Sequence, residues 1–144
     1  MPSAQSILER KGTNVATVDR KTSVFDAAQV MNQHRIGCVV VTDGGKVVGI
    51  FTERDILMRV VAAAQDPRKT EVEKVMTSPM AVCRRDTRLA ECKSVMASKR
   101  IRHLPVVEEG KLYGLISSGD ILASEVADQQ ATIEYLNEYL FGHR

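Results

Sequence analysis

At 144 residues, with 44% hydrophobic and 26% charged side chains, the chain is large enough to bury a core, and its composition excludes intrinsic disorder. A formal charge of +2 and 4% aromatic residues supply neither the dense basic stripe nor the stacking rings of a nucleic-acid binder. The longest apolar runs, Cys38 to Val41 and Val60 to Ala64, are too short to cross a bilayer, and the start Met1 to Ser6 lacks the regions of a secretory leader, so a cytoplasmic protein is expected.

In chain order, residues 1–14 form an N-terminal segment containing the apolar pair Ile7-Leu8. A short strand is expected near Val15 to Val18. A helix follows on which Val24, Ala27, Ala28 and Met31 share one face, with Thr22 or Ser23 as its cap. Cys38 to Thr42 and Val47 to Thr52 read as a hairpin around Asp43-Gly44-Gly45, and a second helix runs from about Glu53 to Gln65. Residues 15–65 therefore make one β-α-β-β-α unit.

A polar linker, 66–78, contains Pro67 and an amphipathic turn of Val72, Val75 and Met76. Residues 79–126 then repeat the order: a strand near Ala81 to Cys83, a helix with Leu89, Cys92 and Met96 on one face, and a hairpin of Leu104 to Val107 and Leu112 to Ser117. Its turn is Glu108-Glu109-Gly110, and a helix starts at about Ser118. Residues 127–144 add an amphipathic helix ending at Gly142, whose Ile133, Leu136, Leu140, Tyr135 and Tyr139 are expected to dock it.

The two units are copies. A constant offset of 65 pairs Thr22 with Thr87, Val30-Met31 with Val95-Met96, Arg35-Ile36 with Arg100-Ile101, Gly49 with Gly114, and Asp55-Ile56-Leu57 with Asp120-Ile121-Leu122. One unit has too few layers to cover its own sheet. The expected fold is therefore α+β, two β-α-β-β-α repeats packed sheet to sheet about a pseudo-twofold axis.

Each repeat places a hydroxyl three residues before a carboxylate where a strand turns into a helix: Thr52 and Asp55, Ser117 and Asp120. Orphan N–H groups at a helix start favour an anion, Thr52 or Ser117 adds a hydrogen bond, and Asp55 or Asp120 accepts from two vicinal ribose hydroxyls. The same spacing makes a helix cap, the natural reading of an isolated instance. Its duplication in one frame, with Asp where caps favour Glu or Gln, tilts the reading toward a nucleoside phosphate.

The segments Gly49 to Ile56 and Gly114 to Ile121, each a glycine, two apolar residues, Ser or Thr, two variable positions and Asp, together with Arg102-His103-Leu104-Pro105-Val106-Val107, resemble the CBS family, whose domains occur in pairs called Bateman modules. The resemblance spans about Val15 to Ala123 and is to small stand-alone bacterial members. It implies ribose contacts from Asp55 and Asp120, phosphate contacts from Thr52, Arg54, Ser117, Arg102 and His103, and apolar strand residues around the base. Thr17, Val18, Val82 and Cys83 are candidates for that base pocket, with core packing as the alternative, and Gly37 and Cys38 join them beside the second strand. Gly37-Cys38 stands where the second repeat has Arg102-His103, and Gly119 where the first has Arg54, so the sites are expected to differ.

The implied function is a non-catalytic regulatory module that senses AMP, ADP or ATP, with NAD(H) or S-adenosylmethionine behind them, and acts in trans on a separate, unidentified partner. A homodimer is expected. The alternative is a structural or partner-binding dimer with vestigial pockets. An enzyme built on Cys38, Cys83 or Cys92 with His34, His103 or His143 has no supporting spacing, no metal motif is present, and the three thiols are expected to be reduced and mostly buried.

Overall fold

The structure, a computed structural model, describes residues 2–141. Its elements are α1 (Ala4–Lys11), β1 (Thr17–Asp19), α2 (Val24–His34), β2 (Cys38–Asp43), β3 (Lys46–Thr52), α3 (Glu53–Asp55), α4 (Leu89–Lys99), β4 (His103–Glu108), β5 (Lys111–Ser117) and α5 (Ser118–Phe141). A π-helical segment, Ile56–Val61, continues α3, and a short 3-10 turn covers Val72–Lys74.

Period-2 patterning, turn chemistry and capping place these elements. Ser23 caps α2 by accepting from the Asp26 N–H at 3.1 Å, and Val24, Ala27 and Met31 are its buried face. The two hairpin loops are Gly44-Gly45 and Glu109-Gly110, and all four residues have positive φ, the type I′ signature that matches strand twist. Glu109, at φ 53, is the one non-glycine among them. Glu109→Asn is expected to stabilise the chain by about 0.5–1 kcal/mol, because asparagine tolerates the left-handed region better; urea unfolding midpoints test this.

β1, β2 and β3 form one sheet, with β1 parallel and β3 antiparallel to β2. β4 and β5 form the other. The strand expected near Ala81 to Cys83 is reduced to one bridge, Cys83 to Val106, the counterpart of the Val18 to Val41 pair. In the first repeat the Val40 N–H donates to Ala16 at 3.1 Å. The second has Pro105 at the matching position, with no N–H to give Ala81, so the parallel ladder stops.

The expected second helix of repeat two and the terminal helix are one, α5, running unbroken through 24 residues. Its expected end at Gly142 lies outside the described residues. Docking on this chain is not seen: Ile133, Leu136, Leu140, Tyr135 and Tyr139 are all exposed.

Two cores lie on either side of the paired sheets. Val18, Val24, Ala27, Met31, Val39, Val41 and Phe51 fill the first, Leu89, Cys92, Met96, Leu104, Val106 and Ile116 the second. Val40 and Cys38, on the opposite face of β2, are buried as well, and β3 packs against β5. A strand covered on both faces carries the continuous apolar run seen from Cys38 to Val41.

The segments preceding each repeat cross over. Ala4, Ile7 and Leu8 of α1 belong to the core of the second repeat, while Val72 and Val75, just before it, belong to the core of the first. The motif glycines are where these crossings press closest. A Cβ on Gly114 would lie 2.5 Å from a Leu8 methyl, and one on Gly49 2.6 Å from the Met76 sulfur and 2.9 Å from the Thr77 carbonyl oxygen. Close backbone approach, rather than a special φ, requires glycine here.

Candidate functional site

The hydroxyl and carboxylate of each repeat sit where an inner strand delivers the chain into a helix. Pairing of Cys38 with Thr52 and of His103 with Ser117 brings the starts of β2 and β4 beside them. The Glu53 N–H donates to the Gly37 carbonyl at 3.0 Å, and the Ser118 N–H to that of Arg102 at 2.9 Å. Thr52, Asp55, Gly37 and Cys38 are thereby gathered in one place, and Ser117, Asp120, Arg102 and His103 in the equivalent one. A further contact joins the two, since a Cβ on Gly37 would meet a Glu53 carboxylate oxygen at 2.6 Å and the His103 ring at 3.4 Å.

Both pairs form reciprocal helix caps. The Thr52 N–H donates to Asp55 Oδ2 at 3.0 Å and the Asp55 N–H to Thr52 Oγ1 at 3.2 Å. The corresponding distances for Ser117 and Asp120 are 2.9 and 3.0 Å. The caps thus use the same atoms that the sequence marks for a ligand, and what differs is the carboxylate left over.

Asp55 is 5% exposed. Thr77 donates its hydroxyl to Oδ1 at 3.0 Å and to Oδ2 at 3.2 Å, the Thr52 hydroxyl adds a bond to Oδ2 at 3.2 Å, and Arg59 lies 3.8 Å from Oδ1. Both oxygens are engaged. The Asp120 side chain keeps 25% exposure, and Lys11 Nζ reaches its Oδ2 at 2.7 Å; Oδ1 accepts no hydrogen bond from the described residues. Burial pushes the Asp120 carboxyl up, but the Lys11 ammonium and the Ser117 N–H outweigh it and leave it below its ordinary range. It is a carboxylate at neutral pH.

His103 is half-buried at the head of β4, among Arg102, Glu53, Lys11 and Asp120. Burial first, then the Arg102 and Lys11 charges, lower its pKa against the opposing carboxylates. The shift favours the neutral, hydrogen-bonding imidazole over the cation. Arg54 hooks onto the second repeat, donating to the Arg100 carbonyl at 3.1 Å, and Arg102 is exposed. Of the strand residues, Val18 and Cys83 pack into the two cores, whereas Thr17 and Val82 are exposed.

Cys38, Cys83 and Cys92 are free and buried. Burial pushes the Cys38 thiol up to about 12, and contact with Cys92 together with burial pushes Cys83 up as well. His34 is exposed, its Nδ1 2.9 Å from the Val30 carbonyl oxygen; His143 lies outside the described residues. No His, Cys, Asp and Glu cluster able to hold a metal occurs among the described residues. Nor is any of their helices long and apolar enough to cross a membrane.

Lys11 and Thr77 have no place in the motifs. Their signal was the pairing of the pre-repeat segments, but sequence offset alone cannot reveal that each segment serves the other repeat's carboxylate.

Comparison with known proteins agrees with this arrangement. The family model for the CBS domain matches residues 10–62 and 72–126. The chain is 31% identical to the CBS domain-containing protein YhcV of Bacillus subtilis over 88% of its length and 89% of that protein's. A CBS-domain protein from Burkholderia ambifaria MC40-6, named as a candidate signal-transduction protein, superposes with a TM-score of 0.84 at 38% identity, covering 88% of this chain and 96% of that one. A CBS-domain containing protein from Agrobacterium tumefaciens gives 0.80 at 37% identity, over 85% and 98%. Two repeats in register, the crossing segments over the motif glycines and these matches together make the chain a tandem member of the CBS domain family.

Proposed function

We propose that this chain is a regulatory module that takes an adenine nucleotide in the cleft of its second repeat and acts in trans on a partner protein, as a homodimer. AMP, ADP or ATP come first as ligands, ahead of NAD(H) and S-adenosylmethionine. One observation carries the reading: Asp120 is ionised and partly exposed, with Oδ1 free of hydrogen bonds from the described residues, at the start of a 24-residue helix and beside His103. Ser117 and the first N–H groups of α5 suit a phosphate, and the Asp120 carboxylate suits a vicinal diol. Asp55, saturated and buried, makes the first repeat the weaker site.

Titration calorimetry of the full chain against AMP, ATP, NAD, NADH and S-adenosylmethionine tests this. At least one is expected to bind, and Asp120→Ala to weaken it roughly 10-fold or more, the loss of hydrogen bonds to a charged group. No heat and no melting shift with all five would remove the reading. The reciprocal caps favour a second one, a partner-binding dimer whose pockets are closed; a tight dimer indifferent to every nucleotide would support it.

A further inference from the structure

We infer that Lys11, at the end of α1, is a specificity-determining residue of the second repeat's site: it latches Asp120 in the unliganded chain and turns to the phosphate when a nucleotide binds. The inference rests on the nucleotide reading above and adds to it a residue outside the motifs.

Four observations converge. Lys11 Nζ donates to Asp120 Oδ2 at 2.7 Å and to the Leu115 carbonyl oxygen at 3.0 Å, so the ammonium sits across the strand-to-helix turn where Ser117 lies. The lysine is placed there by packing, since Ala4, Ile7 and Leu8 seat α1 in the second core. Of the other groups gathered in this corner, Arg102 is exposed, and burial together with the Arg102 and Lys11 charges disfavours the cationic form of His103. The ammonium therefore supplies close positive charge that His103 does not. Finally, the counterpart of Lys11 at the offset of 65 is Met76, and the first repeat instead satisfies its carboxylate with the Thr77 hydroxyl. A cation at the carboxylate, delivered by a pre-repeat segment, belongs to the second site alone.

A nucleoside carries its diol and its 5′ position on one small ring, within the sweep of a single lysine stem. A diol bound at Asp120 competes with Lys11 for the carboxylate. A ligand with a phosphate gives the displaced ammonium a new anionic partner, and a neutral nucleoside leaves it only the Leu115 carbonyl oxygen. The latch thus selects phosphorylated ligands over adenosine.

The experiment is titration of the full wild-type chain, Lys11→Met and Lys11→Arg with adenosine, AMP and ATP. Wild type is expected to prefer AMP and ATP to adenosine. Lys11→Met should bind the two nucleotides roughly 10-fold more weakly, with adenosine affinity held or improved, and Lys11→Arg should keep the wild-type preference. An unchanged ratio of AMP to adenosine affinity in Lys11→Met overturns the assignment while leaving the nucleotide reading intact. Equal loss of all three ligands overturns it too, marking Lys11 as structural. Failure of wild type to bind any of them overturns both.

Discussion

Asp55→Ala is expected to cost the fold about 2–4 kcal/mol, while Asp120→Ala, the same change at the matching position, costs about 1 kcal/mol or less. The difference lies in what each carboxylate leaves behind. At 5% exposure, Asp55 accepts from the Thr52 N–H, the Thr52 hydroxyl and the Thr77 hydroxyl. Its removal leaves three donors of the half-buried Thr52 and Thr77 without the carboxylate that accepts from them, and part of their desolvation is then uncompensated. It also unties Thr77, whose backbone pairs with Ile50 on the open edge of β3.

Asp120 loses a cap bond and a surface ion pair, and its neighbours remain in reach of solvent. Thermal melts should show Asp55→Ala roughly 6–12 °C lower and Asp120→Ala close to wild type. Equal shifts would mean that the two carboxylates have equivalent surroundings. The comparison also guards the binding experiments: a weakened ligand response in Asp55→Ala is to be read at a temperature where that variant is folded.

What was legible in the sequence was whatever local spacing and repetition control. The offset of 65 located both hairpins and both motif pairs, and Val24, Ala27 and Met31 marked the face that α2 buries. The missing strand was also written there, in Pro105, but its meaning depends on which N–H the neighbouring chain needs, a tertiary fact. The break expected after residue 126 had no support in chemistry, because no glycine or proline follows Gly119 before Gly142. Least legible was the crossing of α1 and the 66–78 segment. Hydrophobic pairs such as Ile7-Leu8 announce burial without naming the core they enter, and so Lys11 and Thr77 were invisible as partners of Asp120 and Asp55.

The exposed side of α5 leads to the second large effect. Leu122, Val126, Ile133, Leu136 and Leu140 are 60, 55, 51, 47 and 65% exposed; with Gln129 they fall alternately four and three residues apart, the a and d spacing of a coiled-coil seam. A helix of 24 residues, about 36 Å long, does not carry such a seam for its own chain. Leu57 and Val61, at the positions matching Leu122 and Val126, are exposed at 62 and 66%, so the apolar surface extends to both repeats, and two identical copies can bury it against each other about a twofold axis. Leu136→Asp combined with Leu140→Asp is therefore expected to weaken self-association at least about 100-fold, since each carboxylate would have to be desolvated in the seam. The melting temperature of the monomer should change little, because neither leucine is buried within one chain. Sedimentation equilibrium across a concentration series reads the outcome: a wild type that stays monomeric, or a double variant that dimerises as tightly as wild type, would show that α5 does not join two copies.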